Sequence, residues 1–114
     1  MPILEVKTNV PAVDEEAFLK KASSLVAKLL NKPESYVEIV LQSNVAISFG
    51  GSTEPAAFVR LYSIGGLGLK ENKAITKDLS ALMEESFGIN ASRMYTYFAD
   101  IERQNTGFGG TTFA

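Results

Sequence analysis

Apolar residues along the chain follow two periods in turn, and the same succession occurs twice. Residues 2–7 form a short apolar stretch interrupted by Glu5 and read as a strand. From Asp14 to Leu30 the apolar positions are Phe18, Ala22, Leu25, Val26, Leu29 and Leu30, a spacing that paints one face of an amphipathic helix. Asp14, Glu15 and Glu16 place negative charge at its start. Lys28 and Lys32 lie near its end, as the helix dipole favours. Asn31-Lys32-Pro33 stops the helix, and Tyr36 through Leu41 reads as a strand buried on at least one face.

The second half repeats this order. Ala57 through Ser63 is a strand, and residues 71–87 form a helix with Ile75, Leu79, Leu82, Met83 and Phe87 on its apolar face. Ile75, Leu79, Leu82 and Met83 repeat the spacing of Phe18, Ala22, Leu25 and Val26. Gly88 supplies a C-terminal stop, and Arg93 through Ile101 reads as a strand. Between the halves, Phe49-Gly50-Gly51-Ser52-Thr53-Glu54-Pro55 is a turn-rich loop.

Two βαβ units, residues 1–49 and 57–104, thus predict a single α+β domain spanning 1–114. Right-handed crossovers place both helices on one face of a four-stranded mixed sheet. The other face and both sheet edges are left uncovered. Val37, Ile39, Leu41, Phe58, Leu61 and Ile64 supply more apolar surface than one sheet–helix layer needs. Copies of the same chain are the economical cover, so a closed homo-oligomer is expected. The tail from Asn105 is glycine-rich yet carries Phe108 and Phe113. Aromatics there imply docking on this chain or on a neighbour.

Composition narrows the chemistry. The 114 residues are 46% hydrophobic and 21% charged, which specifies a folded domain. A net charge of −2 without runs of like charge argues against a nucleic-acid or anionic-membrane partner. The start of the chain lacks the basic and apolar regions of a signal peptide. The expected location is cytoplasmic, or outside the cell by a route that needs no such signal. The chain has no cysteine and no histidine, which excludes thiol chemistry, Ser-His-Asp catalysis and the usual zinc sites. Neither glycine-rich segment, 49–55 or 63–68, matches a phosphate-binding motif. No metal or cofactor is expected.

The remaining acid–base candidates are carboxylates, lysines, tyrosines and the N-terminus. Pro2 follows the initiator methionine. Initiator methionine is commonly removed before a small residue, and removal would leave Pro2 with a free secondary amine in a rigid ring. A terminal amine has a pKa of roughly 7.7–8.0, and desolvation lowers it. Such an amine, neutral near pH 7, is a general base. If Met1 stays, the Pro2 nitrogen is an amide without a basic lone pair.

Taken together, these residues resemble the macrophage migration inhibitory factor family of the tautomerase superfamily, end to end. The resemblance is carried by Met1-Pro2 with Thr8-Asn9-Val10-Pro11, Lys32-Pro33 followed by Tyr36, and Phe49-Gly50-Gly51-Ser52 with Glu54-Pro55. It continues through Ser63-Ile64-Gly65, Tyr95 and the closing Thr112-Phe113-Ala114. It implies a homotrimer with active sites between subunits, in which Pro2 is the catalytic base of an isomerase. The implied reaction interconverts keto and enol forms of phenylpyruvate-type 2-keto acids, with dopachrome-like substrates also open. The resemblance assigns the substrate carboxylate to Lys32, a backbone donor to Ile64 and a pocket wall to Tyr36. Tyr95 would enter from the adjoining subunit. Each residue also has an ordinary reading: Lys32 as a helix-dipole partner, Tyr36 and Tyr95 as half-buried strand aromatics, Ile64 as core.

The chain departs from the family pattern at three places. Vertebrate members carry Cys-x-x-Cys where this chain has Ala56-Ala57-Phe58-Val59, so the chain resembles non-vertebrate members lacking that motif. Any thiol–disulfide activity attributed to the family cannot operate in it. Tyr97 stands in place of a pocket asparagine, and Phe108 in place of a tryptophan. The pocket stays aromatic but changes shape. Receptor binding, known for animal members, is not carried over. Two other functions stay open on sequence grounds: a non-catalytic homotrimer that binds proteins or signals, and a small-metabolite sensor.

Overall fold

The computed structural model describes residues 1–114. Strand β1 (Pro2–Thr8) leads into helix α1 (Glu15–Leu30), and strand β2 (Glu38–Gln42) follows. The second unit is β3 (Ala57–Ser63), α2 (Leu69–Phe87) and β4 (Met94–Asp100). The sheet order is β2-β1-β3-β4, with β1 parallel to β2, β3 parallel to β4, and the two central strands antiparallel. This is the mixed sheet expected of two βαβ units. No helix is long and apolar enough to cross a membrane.

Helix ends follow local chemistry. The Asp14 carboxylate accepts from the Ala17 N–H at 3.0 Å and caps α1, and Asn31 closes it in the left-handed region. Gly88 ends α2 at φ 68°, donating its N–H to the Glu84 carbonyl at 2.9 Å. Both helices pack on one sheet face. The core joins Leu4, Val6, Val59 and Leu61 of the central strands to Ala22, Val26, Leu79 and Met83 of the helices. Phe18 and Phe87 meet at 5.0 Å where the helices cross.

The second sheet face differs from the sequence expectation. Val37, Ile39 and Leu41 pack against the helix-side core, and Leu61 is fully buried within it. The period-2 alternation carries them there together, because Ile39 pairs with Leu4 and Leu4 with Leu61. Of the residues counted as surplus apolar surface, the open face receives Phe58. It also displays Glu5, Arg60, Tyr62 and Tyr97. Arg60 lies 4.0 Å from Glu5 and 4.9 Å above the Phe58 ring, and the Tyr62 hydroxyl donates to Glu5 at 3.4 Å. The register adds Ile3 and Val40, so that face mixes charged, aromatic and aliphatic side chains.

Two local assignments also change. Tyr36 is not in a strand: Glu34–Tyr36 form a 3₁₀ turn, with Tyr36 N–H donating to the Pro33 carbonyl at 3.1 Å. The tail is a small hairpin, β5 (Gly107–Phe108) and β6 (Thr111–Thr112), joined through Gly109 and Gly110 at φ 62° and 85°.

Candidate active site at the N-terminus

β1 is a central strand, so its first residue is set deep in the molecule. Pro2 is buried, stands opposite Ser63 in the β3 register, and follows a half-buried Met1. Ile64 is the next residue after Ser63, at the strand end beside Pro2. Its N–H takes part in none of the backbone bonds outside the helices and strands, which leaves a donor at that end.

A cavity of about 500 Å³ opens at this terminus, with Met1, Tyr36, Thr106, Phe108 and Phe113 in its lining. Its walls are organised by aromatic contacts. The Tyr36 ring centroid lies 5.3 Å from that of Phe108 and 6.0 Å from that of Phe113, and Phe108 stacks on Phe113 at 5.4 Å. The 3₁₀ turn aims Tyr36 and the hairpin aims Phe108. Phe113 N–H donates to the Thr106 carbonyl at 3.2 Å and closes the wall. The tail aromatics therefore dock on their own chain.

The terminal amine in this setting is held below its ordinary value. Burial is the larger cause, and the positive charges of Lys32 and then Arg103 add to it. Met1 carries this amine, and the Pro2 nitrogen behind it is an amide. Lys32 is half-buried at the C-terminal end of α1, and its N–H donates to the Ala27 carbonyl at 3.0 Å. Its charge acts on the amine as well as on the helix.

Within one chain Tyr36 and Phe108 line the cavity with Met1, while Pro2 follows Met1 behind it. Ile64 follows the register partner of Pro2, and Lys32 acts on the terminal amine by charge without lining the cavity. The chain does not bring Tyr95 or Tyr97 to them. Both lie on β4, the sheet edge opposite β2, and are 69% and 62% exposed. Tyr95 packs on Phe49 of the inter-unit loop at 5.1 Å, a rigid aromatic platform facing outward. That loop is pinned by Arg93, whose guanidinium donates to the carbonyls of Pro55 (2.9 Å), Phe49 (3.3 Å), Ser52 (3.2 Å) and Glu54 (3.0 Å). Asn9 holds the same loop through the carbonyls of Thr53 and Glu54 and the Ala56 N–H.

Sequence reasoning had missed Arg103, which no motif marked, and had missed the place of Phe113 in the wall. The Gly-Gly turn between short apolar–polar pairs was the available signal for the latter. A larger cavity of about 700 Å³ lies elsewhere, between Asn9–Pro11 and Val45–Ser48. It contains no ionisable side chain, whereas the N-terminal cavity has Met1, which carries the terminal amine, in its lining.

The family model described as macrophage migration inhibitory factor matches residues 1–114. A macrophage migration inhibitory factor homolog of Brugia malayi is 44% identical over 114 residues, covering 99% of both chains. The solved structure of the macrophage migration inhibitory factor from Trichinella spiralis superposes with a TM-score of 0.92 at 39% identity, covering 97% of this chain and 99% of that one. A homologue from Prochlorococcus marinus gives a TM-score of 0.94 at 35% identity over 98% and 99% of the two chains.

Proposed function

The chain belongs to the macrophage migration inhibitory factor family, within the tautomerase superfamily, and from that premise we propose that it is a keto–enol tautomerase of phenylpyruvate-type 2-keto acids. Pro2, freed by removal of Met1, is the base. Its nitrogen takes a proton from the carbon next to the substrate carbonyl, the electron pair moves to the carbonyl oxygen, and the reverse step returns the proton. Lys32 holds the substrate carboxylate by charge. The Ile64 N–H supplies a fixed donor at the same end. Tyr36 and Phe108 wall the aromatic ring. Tyr95 and Tyr97 enter from the adjoining copy of a homotrimer and close the site.

The observation that supports this reading most is the buried strand start opening into an aromatic cavity beside two cations. A base at this place is desolvated, aimed along the first strand and neutral at a lower pH than an ordinary amine. Removing Met1 would do two things at once: create the amine and vacate part of the cavity that Met1 lines. The trimer accounts for two exposed tyrosines on one edge and an incomplete pocket near the other.

Replacement of Pro2 by glycine tests the assignment. The Pro2→Gly chain is expected to fold and to ketonise phenylpyruvate at least about a hundredfold more slowly, the lower range for a displaced general base. Unchanged turnover would remove Pro2 from the mechanism. A sedimentation mass three times that of the chain is expected in solution, and a monomer would remove Tyr95 and Tyr97 from the site.

A further inference from the structure

Arg103 has no counterpart among the motifs that carry the family resemblance, yet the backbone brings it close to the N-terminal cavity. The Ile101 N–H donates to the Ser63 carbonyl at 3.0 Å, and Ser63 is the register partner of Pro2. The chain therefore passes the start of β1 just before Arg103. It then turns through the 3₁₀ segment Arg103–Asn105, where the Thr106 N–H donates to the Arg103 carbonyl at 3.3 Å. Thr106 lines the cavity together with Met1, Phe108 and Phe113. Both ends of this short segment are thus tied to the site.

The Arg103 guanidinium has no acid partner. The ion pairs of the chain are Glu16–Lys20, Lys21–Glu85 and Glu5–Arg60, and no side-chain hydrogen bond uses Arg103. The neighbouring Glu102 carboxylate accepts from Gln104 at 3.1 Å instead. Lys32 is likewise without an ion-pair partner. The other carboxylates of this end are Glu38, which lines the cavity, Glu34 on the turn that carries Tyr36, and Asp100, which stands opposite Ser63 and accepts from the Gly65 N–H at 3.3 Å; none forms an ion pair with either cation. Both cations raise the positive potential felt at the terminus.

We propose that Arg103 is a second anion-binding residue of this site and that the preferred substrate is an aromatic 2-keto acid bearing a second negatively charged group. The inference rests on the tautomerase reading for the word substrate, but the anion preference does not depend on turnover. One carboxylate satisfies Lys32, as the family reading requires. A planar guanidinium with five donors, exposed beside the cavity and three residues before the lining Thr106, matches a further carboxylate in a way that an ammonium does not. Two unpaired cations beside a base that must stay neutral are best compensated by a ligand carrying two negative charges.

The test is a binding titration with two non-enolisable probes, phenylacetate and 4-carboxyphenylacetate, on the processed protein at fixed ionic strength. The wild type is expected to bind the dianion at least about tenfold tighter than the monoanion, the effect of one charge-assisted bond. Arg103→Gln should reduce that ratio to near one, and Arg103→Lys should restore part of it. Unaltered thermal melting of both variants would show that the fold is intact. Equal affinity for the two probes in the wild type would overturn the proposal, as would a ratio that survives Arg103→Gln. Phenylpyruvate turnover by the wild type, measured alongside, tests the tautomerase reading separately. Absent turnover with a dianion preference lost in Arg103→Gln would sink that reading and keep the anion site.

Discussion

Arg93 is the residue on which the inter-unit loop depends, and its replacement by lysine tests the geometry quantitatively. Its guanidinium spans four carbonyls of the loop at 2.9–3.3 Å and lies 5.5 Å from the Phe49 ring centroid. A hydrogen bond from a charged donor is worth roughly 1.5–3 kcal/mol when water is excluded. Arg93 is half-buried, so water competes and about 0.5–1 kcal/mol per bond is the better figure. A lysine keeps the charge but can reach one or two of the four acceptors. Arg93→Lys should therefore cost about 2 kcal/mol. For a domain of this size that lowers the melting temperature by roughly 8 °C. Denaturant and thermal unfolding followed by circular dichroism would measure both numbers. Asn9 and Arg93 both donate to the Glu54 carbonyl, each at 3.0 Å. A double-mutant cycle of Asn9→Ala and Arg93→Lys should then give a coupling energy of at least about 0.5 kcal/mol. Because the loop carries Phe49 against Tyr95, the same substitution should lower kcat/KM more than the Tm shift alone predicts at assay temperature. A variant within about 0.5 kcal/mol of wild type, with additive single mutants, would refute the clamp.

Other outcomes follow from the site and the core. The base acts when deprotonated, so kcat/KM should fall as pH drops through the amine pKa. The Met1 amine at this end is lowered by burial and by Lys32 and Arg103. A Pro2 amine freed one residue deeper is expected to share that direction, placing the acid limb below the roughly 8 of an ordinary terminal amine. Lys32 disfavours the protonated amine, so Lys32→Gln should move that acid limb to higher pH while KM for phenylpyruvate rises. An unmoved limb would separate Lys32 from the base. Thr96 buries a hydroxyl without a hydrogen-bond partner, so Thr96→Val should be neutral or stabilise by up to about 1–2 kcal/mol in urea unfolding; a loss of that size would mean the hydroxyl is satisfied.

How far the sequence discloses this molecule depends on the range of the interaction. The helices are legible because burial of one face writes itself as a 3.6-residue period, and because Asp14 and Gly88 mark ends by local hydrogen bonding. The strand Ala57–Ser63 is legible from its β-branched and aromatic composition. The expected strand Arg93–Ile101 is one residue shorter at each end, because Arg93 closes a 3₁₀ turn that Asn90 caps. Which sheet face receives a given apolar residue is a matter of register, set by partners far away in the chain. Ile39 and Leu41 therefore read as surplus surface in the sequence, whereas they pack against the core. Tyr36 reads as a strand residue by composition, but Pro33 ahead of it closes a turn. At the site, Pro2 and Lys32 are conspicuous by chemical type. Arg103 is not, since its place depends on a bond between Ile101 and Ser63 that no local pattern announces.

The most direct measurement compares phenylpyruvate ketonisation by the processed protein with that of a chain in which one alanine is inserted between Met1 and Pro2. Intact mass would establish the terminus of each, and sedimentation their assembly. The processed chain is predicted to begin at Pro2 and to turn over at least about a hundredfold faster than the extended one, which holds the proline nitrogen as an amide. Equal rates from two chains of verified mass would contradict the claim that a free Pro2 nitrogen moves the proton.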